Sequence, residues 1–163
     1  MVRSDRRMPD GETRQFLRER AVAHVGTTDA SGWPYVVALM YVYEEGNLLY
    51  LHRTAPGTLL CEHPPESRIC IHVDEPGSLQ RGQPSPCNSA LVYESAVAHG
   101  EIRVVEETGA NEKKAWFFDR LLERLKEPMS AYQRPGYPLL DQIILFEVAF
   151  EIVTGKLSVG LHH

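Results

Sequence analysis

Residues 35–43 read Tyr-Val-Val-Ala-Leu-Met-Tyr-Val-Tyr, a run with no charged side chain. An antiparallel strand with one wet face alternates, so this strand is expected to be covered on both faces, by a core on one side and by a second element on the other. Residues 68–74 alternate instead, with Ile69, Ile71 and Val73 on one face and Arg68, Cys70, His72 and Asp74 on the other. Residues 143–154 form a third strand, with Ile144, Phe146, Val148, Phe150 and Ile152 at even positions and Glu147 and Glu151 facing the other way. The helical period appears over 111–127, where Phe117, Leu121 and Leu125 recur at i, i+4 and i+8 before Pro128.

The remaining elements are shorter. Residues 10–20 suit an amphipathic helix around Phe16 and Leu17, and 21–29 have strand composition. Pro34 opens the long apolar strand, where its missing N–H is tolerated. Glu44-Glu45-Gly46-Asn47 is a hairpin turn, and 48–53 return as the partner strand. A helical turn or two is expected over 58–63, stopped by Pro64-Pro65. Residues 75–88 hold three prolines and two glycines and read as a loop, after which 91–105 form a long strand that bends at Gly100. About six strands joined by tight turns predict a mainly β protein, an antiparallel sheet closed or nearly closed into a barrel with peripheral helices. All 163 residues fit one domain.

Composition narrows the function. The net charge of −5 argues against nucleic-acid and membrane-surface partners. No apolar run spans a bilayer, and the charged first ten residues lack the apolar region of a signal peptide, so a cytoplasmic protein is expected. Cys61, Cys70 and Cys87 are odd in number and widely spaced, which fits free thiols. His24, His52, His63, His72 and His99 are scattered with no paired-ligand motif, so no metal site is expected. The richest polar cluster is His52-Arg53-Thr54-Ala55-Pro56-Gly57-Thr58, which leaves a strand, turns, and starts a helix. A guanidinium, hydroxyls and free backbone N–H groups suit an anionic phosphate, although a solvated strand end with a capping Thr reads the same way. Dinucleotide, Walker A and nucleophile-elbow motifs are absent.

These segments, taken in order, carry a resemblance. Pro34-Tyr35-Val36-Val37-Ala38-Leu39, Tyr50-Leu51-His52, Gly57 and the 68–74 strand resemble the FMN-binding split-barrel family related to pyridoxamine 5′-phosphate oxidase, nearest its nitroimidazole-resistance reductase branch. Tyr93 to Gly100 is similar to the family's Y-x-S-V-x-x-x-G strand, and Thr154-Gly155-Lys156 to its T-G-K ending. The resemblance implies a six-stranded split barrel, a homodimer with FMN at the subunit interface, and reduction of a small organic acceptor such as a nitroaromatic or quinone. It implies that Ala38, Leu39 and Met40 flank the flavin ring and that His52, Arg53, Thr54, Gly57 and Thr58 lie along the ribityl phosphate; His52, on the face of Leu48 and Tyr50, is also the candidate catalytic residue, because an imidazole can pass a proton to a reduced acceptor. The family's basic pair after the glycine is replaced by Thr58 and Leu59. That departure keeps two alternatives open: a non-enzymatic protein for flavin, haem or another planar ligand, and a deazaflavin-dependent reductase. Pyridoxamine phosphate oxidation itself is not expected, because the basic C-terminal extension of that branch has no counterpart here.

Overall fold

The computed structural model describes residues 4–28, 31–54, 67–105 and 110–160. Its strands are β1 (Arg7–Met8), β2 (Val22–Thr28), β3 (Pro34–Glu44), β4 (Leu48–Thr54), β5 (Ser67–Gln80), β6 (Ala90–Val104) and β7 (Ile143–Ser158). Two helices join them, α1 (Asp10–Glu19) and α2 (Ala110–Leu125). All pairings are antiparallel, and six strands close a ring in the order β2, β3, β4, β7, β6, β5 and back to β2. The fold is the expected barrel with one strand more. The two-residue β1 adds Arg7 and Met8 beside Lys156 and Gly155 of β7. Here Gly155 is required by packing: a Cβ at that position would occupy the space held by Thr13 and Met8.

The alternation read from the sequence fills the barrel. Tyr41, Leu49, Leu51, Ile69, Ile71, Val73, Phe146 and Val148 converge inside it, and Phe16 and Leu17 of α1 join that core. The Tyr41 hydroxyl donates to the Leu17 carbonyl at 2.7 Å, which satisfies a phenol buried among aliphatic groups. A second cluster forms outside the barrel, where Phe117 and Leu121 of α2 cover Val42, Tyr50 and Leu145. Arg124 fixes this helix by donating to the carbonyls of Arg20 and Tyr41 at 2.8 and 3.0 Å. Lys126, in the left-handed conformation, ends the helix while the Glu127 N–H reaches back to the Leu122 carbonyl.

Several expectations need correction. Within the single chain, the apolar strand is covered on both faces over Tyr41, Val42 and Tyr43, by the barrel core and α2, while cover of Val36 and Met40, 63% and 40% exposed, is left to a second chain or a ligand. Residues 75–80 continue β5 rather than forming a loop, because Pro76 and Gly77 are absorbed by a register irregularity between Pro76 and Leu79. On β7 the even-position stripe stops at Phe150. Gly100 pairs with Phe150 but His99 pairs with Ile152, so the bulge at Glu151 turns Ile152 outward to 55% exposure. Glycine is needed at the bend, since a Cβ on Gly100 would strike the Ala149 carbonyl. Leu125 ends α2 exposed instead of continuing its apolar stripe. The turn expected over 58–63 lies outside the described residues.

Candidate functional site: the divergence of β3 and β4

The hairpin joining β3 to β4 is tight at its turn and opens away from it. Gly46 and Asn47 adopt left-handed conformations that these two residue types tolerate, and the Tyr43 hydroxyl donates to Asn47 Oδ1 at 3.1 Å. Pairing runs from Glu44↔Leu48 to Tyr41↔Leu51 and stops there. Beyond it β3 stays with β2, from Met40↔Val22 to Pro34↔Thr28, while β4 stays with β7, from His52↔Leu145 to Thr54↔Ile143. The barrel wall therefore splits between residues 34–40 and 52–54. Each lip carries a strand edge without a sheet neighbour among the described residues.

The expected site residues fall on these two lips. Ala38, Leu39 and Met40 lie on the β3 lip and His52, Arg53 and Thr54 on the β4 lip. Strand parity divides them further. Leu39 packs against the barrel core, while Ala38 and Met40 are exposed. His52 shares the face of Leu48 and Tyr50, as the alternation predicts, and its ring lies 5.2 and 5.1 Å from the rings of Phe117 and Phe118. Arg53 takes the opposite side, its guanidinium 5.9 Å from the centre of the Phe146 ring. Thr54 is exposed at the strand end. Gly57 and Thr58 lie outside the described residues.

His52 has an unusual environment. Its Nδ1 is buried with no hydrogen-bond partner among the described residues, next to the open lip. Burial beneath the two phenylalanines holds its pKa below the usual 6.5, so the ring is neutral at neutral pH. A neutral imidazole is a hydrogen-bonding group more than a strong proton donor. The His52 nitrogen and the two strand edges, unpartnered among the described residues, suit a flat polar ring that would supply their hydrogen bonds, and the Arg53 cation suits an anionic tail on it.

Two further clusters were not anticipated from the sequence. Under α2, the Tyr50 hydroxyl donates to Glu147 at 2.6 Å, and Arg103 donates to the same carboxylate through Nε at 2.9 Å and through Nη2. Burial pushes the Glu147 pKa up, but these hydrogen bonds and the charges of Arg103 and Lys113 outweigh it and leave the group below its ordinary value. Lys113 lies 3.6 Å from the Trp116 ring centre and 4.3 Å from that of Tyr50. On the outer face of β2 and β5, His24, His72 and Asp74 converge. Alternation alone puts all three outward; only the register between the two strands shows that they meet.

A family model described as pyridoxamine 5′-phosphate oxidase matches residues 9–156. The chain belongs to that family. Among solved structures, it is similar to a proposed 5-nitroimidazole antibiotic resistance protein from Bacteroides thetaiotaomicron, with a TM-score of 0.70 and 23% identity over 93% of this chain and 86% of that one. A FAD and haem binding protein from Mycobacterium smegmatis aligns with a TM-score of 0.74 and 19% identity over 95% of this chain and 74% of that one. A FAD-binding protein from Mesorhizobium loti aligns at 0.64 and 22%, covering 94% and 97% of the two chains. No curated protein matches. The split-barrel fold is thus shared with flavoproteins. No helix among the described residues is long and apolar enough to cross a membrane.

Proposed function

We propose that the chain is a flavin-dependent oxidoreductase that holds FMN in the split between β3 and β4, works as a homodimer in the cytoplasm, and reduces a small organic acceptor. The observation that carries this reading is the divergence after Tyr41↔Leu51, which leaves two strand edges without a sheet neighbour among the described residues, beside a buried imidazole nitrogen with no partner among them. Membership of the family and the flavoproteins that share its fold support it. When bound, the flavin supplies two-electron chemistry between a reduced nicotinamide or similar donor and the acceptor.

The chain's own groups supply binding and orientation. Backbone groups of 38–40 hold the ring edge, and Ala38 leaves room for its close approach. Arg53, Thr54, Gly57 and Thr58 take the phosphate, with Arg53 as the cation that Thr58 and Leu59 do not provide. His52, neutral and pinned by Phe117 and Phe118, donates or accepts a hydrogen bond at the cleft rather than acting as a charged acid. Exclusion of water falls to the aromatic floor beneath α2.

The visible spectrum of the purified protein tests the cofactor, and chromatography of the released chromophore separates FMN from FAD and deazaflavin. Turnover of a nitroaromatic or quinone with reduced nicotinamide tests the activity. His52→Gln retaining flavin but losing turnover supports its catalytic role; full activity from pH 5 to 9 removes it from the mechanism. The second reading, a non-enzymatic holder of flavin or haem, is favoured by Leu59 at the usual cation position. A Soret band, or flavin without turnover of either acceptor, would select it.

A further inference from the structure

We propose that His24, His72 and Asp74 form a binding site for a divalent transition metal, and that their chemistry suits Zn2+. His24 of β2 and His72 of β5 are directly opposed in register, and Asp74 stands two residues farther along β5 on the same outward face. Asp74 Oδ1 lies 3.5 Å from His24 Nδ1 and 3.6 Å from His72 Nδ1. One ligand atom from each residue falls within 4.8 Å of the other two.

The two nitrogen–oxygen separations leave room for an ion between the groups. A nitrogen donating to a carboxylate sits at about 2.7–3.2 Å, and neither imidazole comes that close. In a tetrahedral zinc centre, ligand bonds of about 2.0–2.2 Å place the ligand atoms about 3.3–3.6 Å from one another. The two nitrogen–oxygen distances match two edges of that tetrahedron, and the nitrogen–nitrogen edge lies within 4.8 Å. Two imidazoles and one carboxylate are ligands that zinc favours, whereas Ca2+ and Mg2+ seek six or more oxygen atoms.

The platform is rigid, because the ligands stand on paired strands of the barrel wall rather than on a loop. Solvent reaches the site: the side chains of His24, His72 and Asp74 are 50%, 44% and 38% exposed. Three protein ligands leave the fourth position open to water or to an anionic or neutral donor from a small molecule. Such a centre has the form of an exchangeable or catalytic site more than of a closed structural one.

The test is Zn2+ titration of the full chain in a His162→Ala/His163→Ala background, which removes the adjacent terminal histidines as competing chelators. Equilibrium dialysis is expected to give one Zn2+ per chain, in flavin-free and flavin-loaded protein alike. His24→Gln, His72→Gln and Asp74→Asn are each expected to weaken binding at least tenfold, whereas Cys61→Ser, Cys70→Ser and Cys87→Ser leave it within twofold. Because the three ligands are surface residues, circular dichroism should report an unchanged fold in their variants. No stoichiometric zinc in the background protein, or undiminished affinity in the three ligand variants, would overturn the site. Neither outcome depends on whether the protein carries FMN.

Discussion

His52 and Arg53 are consecutive in β4 and face opposite sides of the barrel wall. The imidazole packs against Phe117 and Phe118 beneath α2, while the guanidinium approaches Phe146 from the core side. A flavin reaching both residues must therefore meet them at the open strand end and not along one face. On the proposed reading, the phosphate of such a flavin would lie nearer Arg53 and Thr54, and its ring nearer the β3 lip.

Replacing Arg53 with Ala should weaken FMN binding by about 1.5–3 kcal/mol, the worth of a hydrogen bond to a charged group. Leu59→Lys or Thr58→Lys should strengthen it by restoring a cation beside the phosphate. Fluorescence titration of the flavin-free protein measures all three. Equal affinities throughout would place the phosphate elsewhere.

The pH dependence of stability should report the burial of His52. Its folded-state pKa lies below the ordinary 6.5, so on acidification the unfolded chain takes up this proton first. Stability consequently falls as the pH drops below about 6.5 and continues to fall until the folded-state pKa is passed. Thermal unfolding from pH 7.5 to 5 should show this slope in the wild type and a smaller slope in His52→Gln. An identical slope in the variant would assign the effect to other groups.

Tyr50→Phe should destabilise the fold by about 1.5–3 kcal/mol, because it removes a hydrogen bond to an ionised carboxylate. Tyr50 is buried and the Glu147 side chain is only 13% exposed, so solvent replaces the hydroxyl poorly. The Glu147 pKa should also rise toward its ordinary value. Its depression contributes stability that is present above the unfolded-state pKa and lost as the pH falls through the lower folded value, so this acid-side loss should shrink in the variant. Urea unfolding at pH 7 with an unchanged slope and a lower midpoint would confirm the first effect.

The sequence was legible wherever local chemistry decides the structure. Alternation located β5, the helical period located α2, and Gly46-Asn47 located the β3–β4 turn. It misled at Ile152, because a bulge is a property of two paired strands and reverses parity without any sign on the strand that carries it. Pro76 and Gly77 misled for the same reason: a register irregularity accommodates residues that would normally end a strand. The split was invisible as such, since the point where β3 exchanges β4 for β2 is set by the closure of the whole ring. Likewise His24 and His72 lie 48 positions apart in the chain and become neighbours only through strand pairing.

The outer face of β3 around Val36 and Met40, on the side away from the β2–β5 seam that carries His24 and His72, should be the seat of the homodimer. Val22, Val36 and Met40 are 50%, 63% and 40% exposed there, and Ala38 stands exposed between the last two. Soluble monomers seldom expose apolar side chains of this size together, and a two-fold contact would bury each one against its own copy or a close neighbour. An acidic residue at this face would appear twice across the axis, adding like-charge repulsion to the loss of apolar burial. Val36→Asp and Met40→Asp are therefore expected to give monomers where the wild type is dimeric at micromolar concentration. Intrachain stability should change by no more than about 0.5 kcal/mol, since exposed side chains contribute little to the isolated barrel. Light scattering reads the mass, and absorbance reads the flavin retained after gel filtration. If the cofactor sits between subunits, flavin content should fall together with the dimer. Monomeric wild-type protein at that concentration would end both the dimer and the interface location of the flavin. A variant that becomes monomeric while keeping its flavin would place the cofactor within a single barrel.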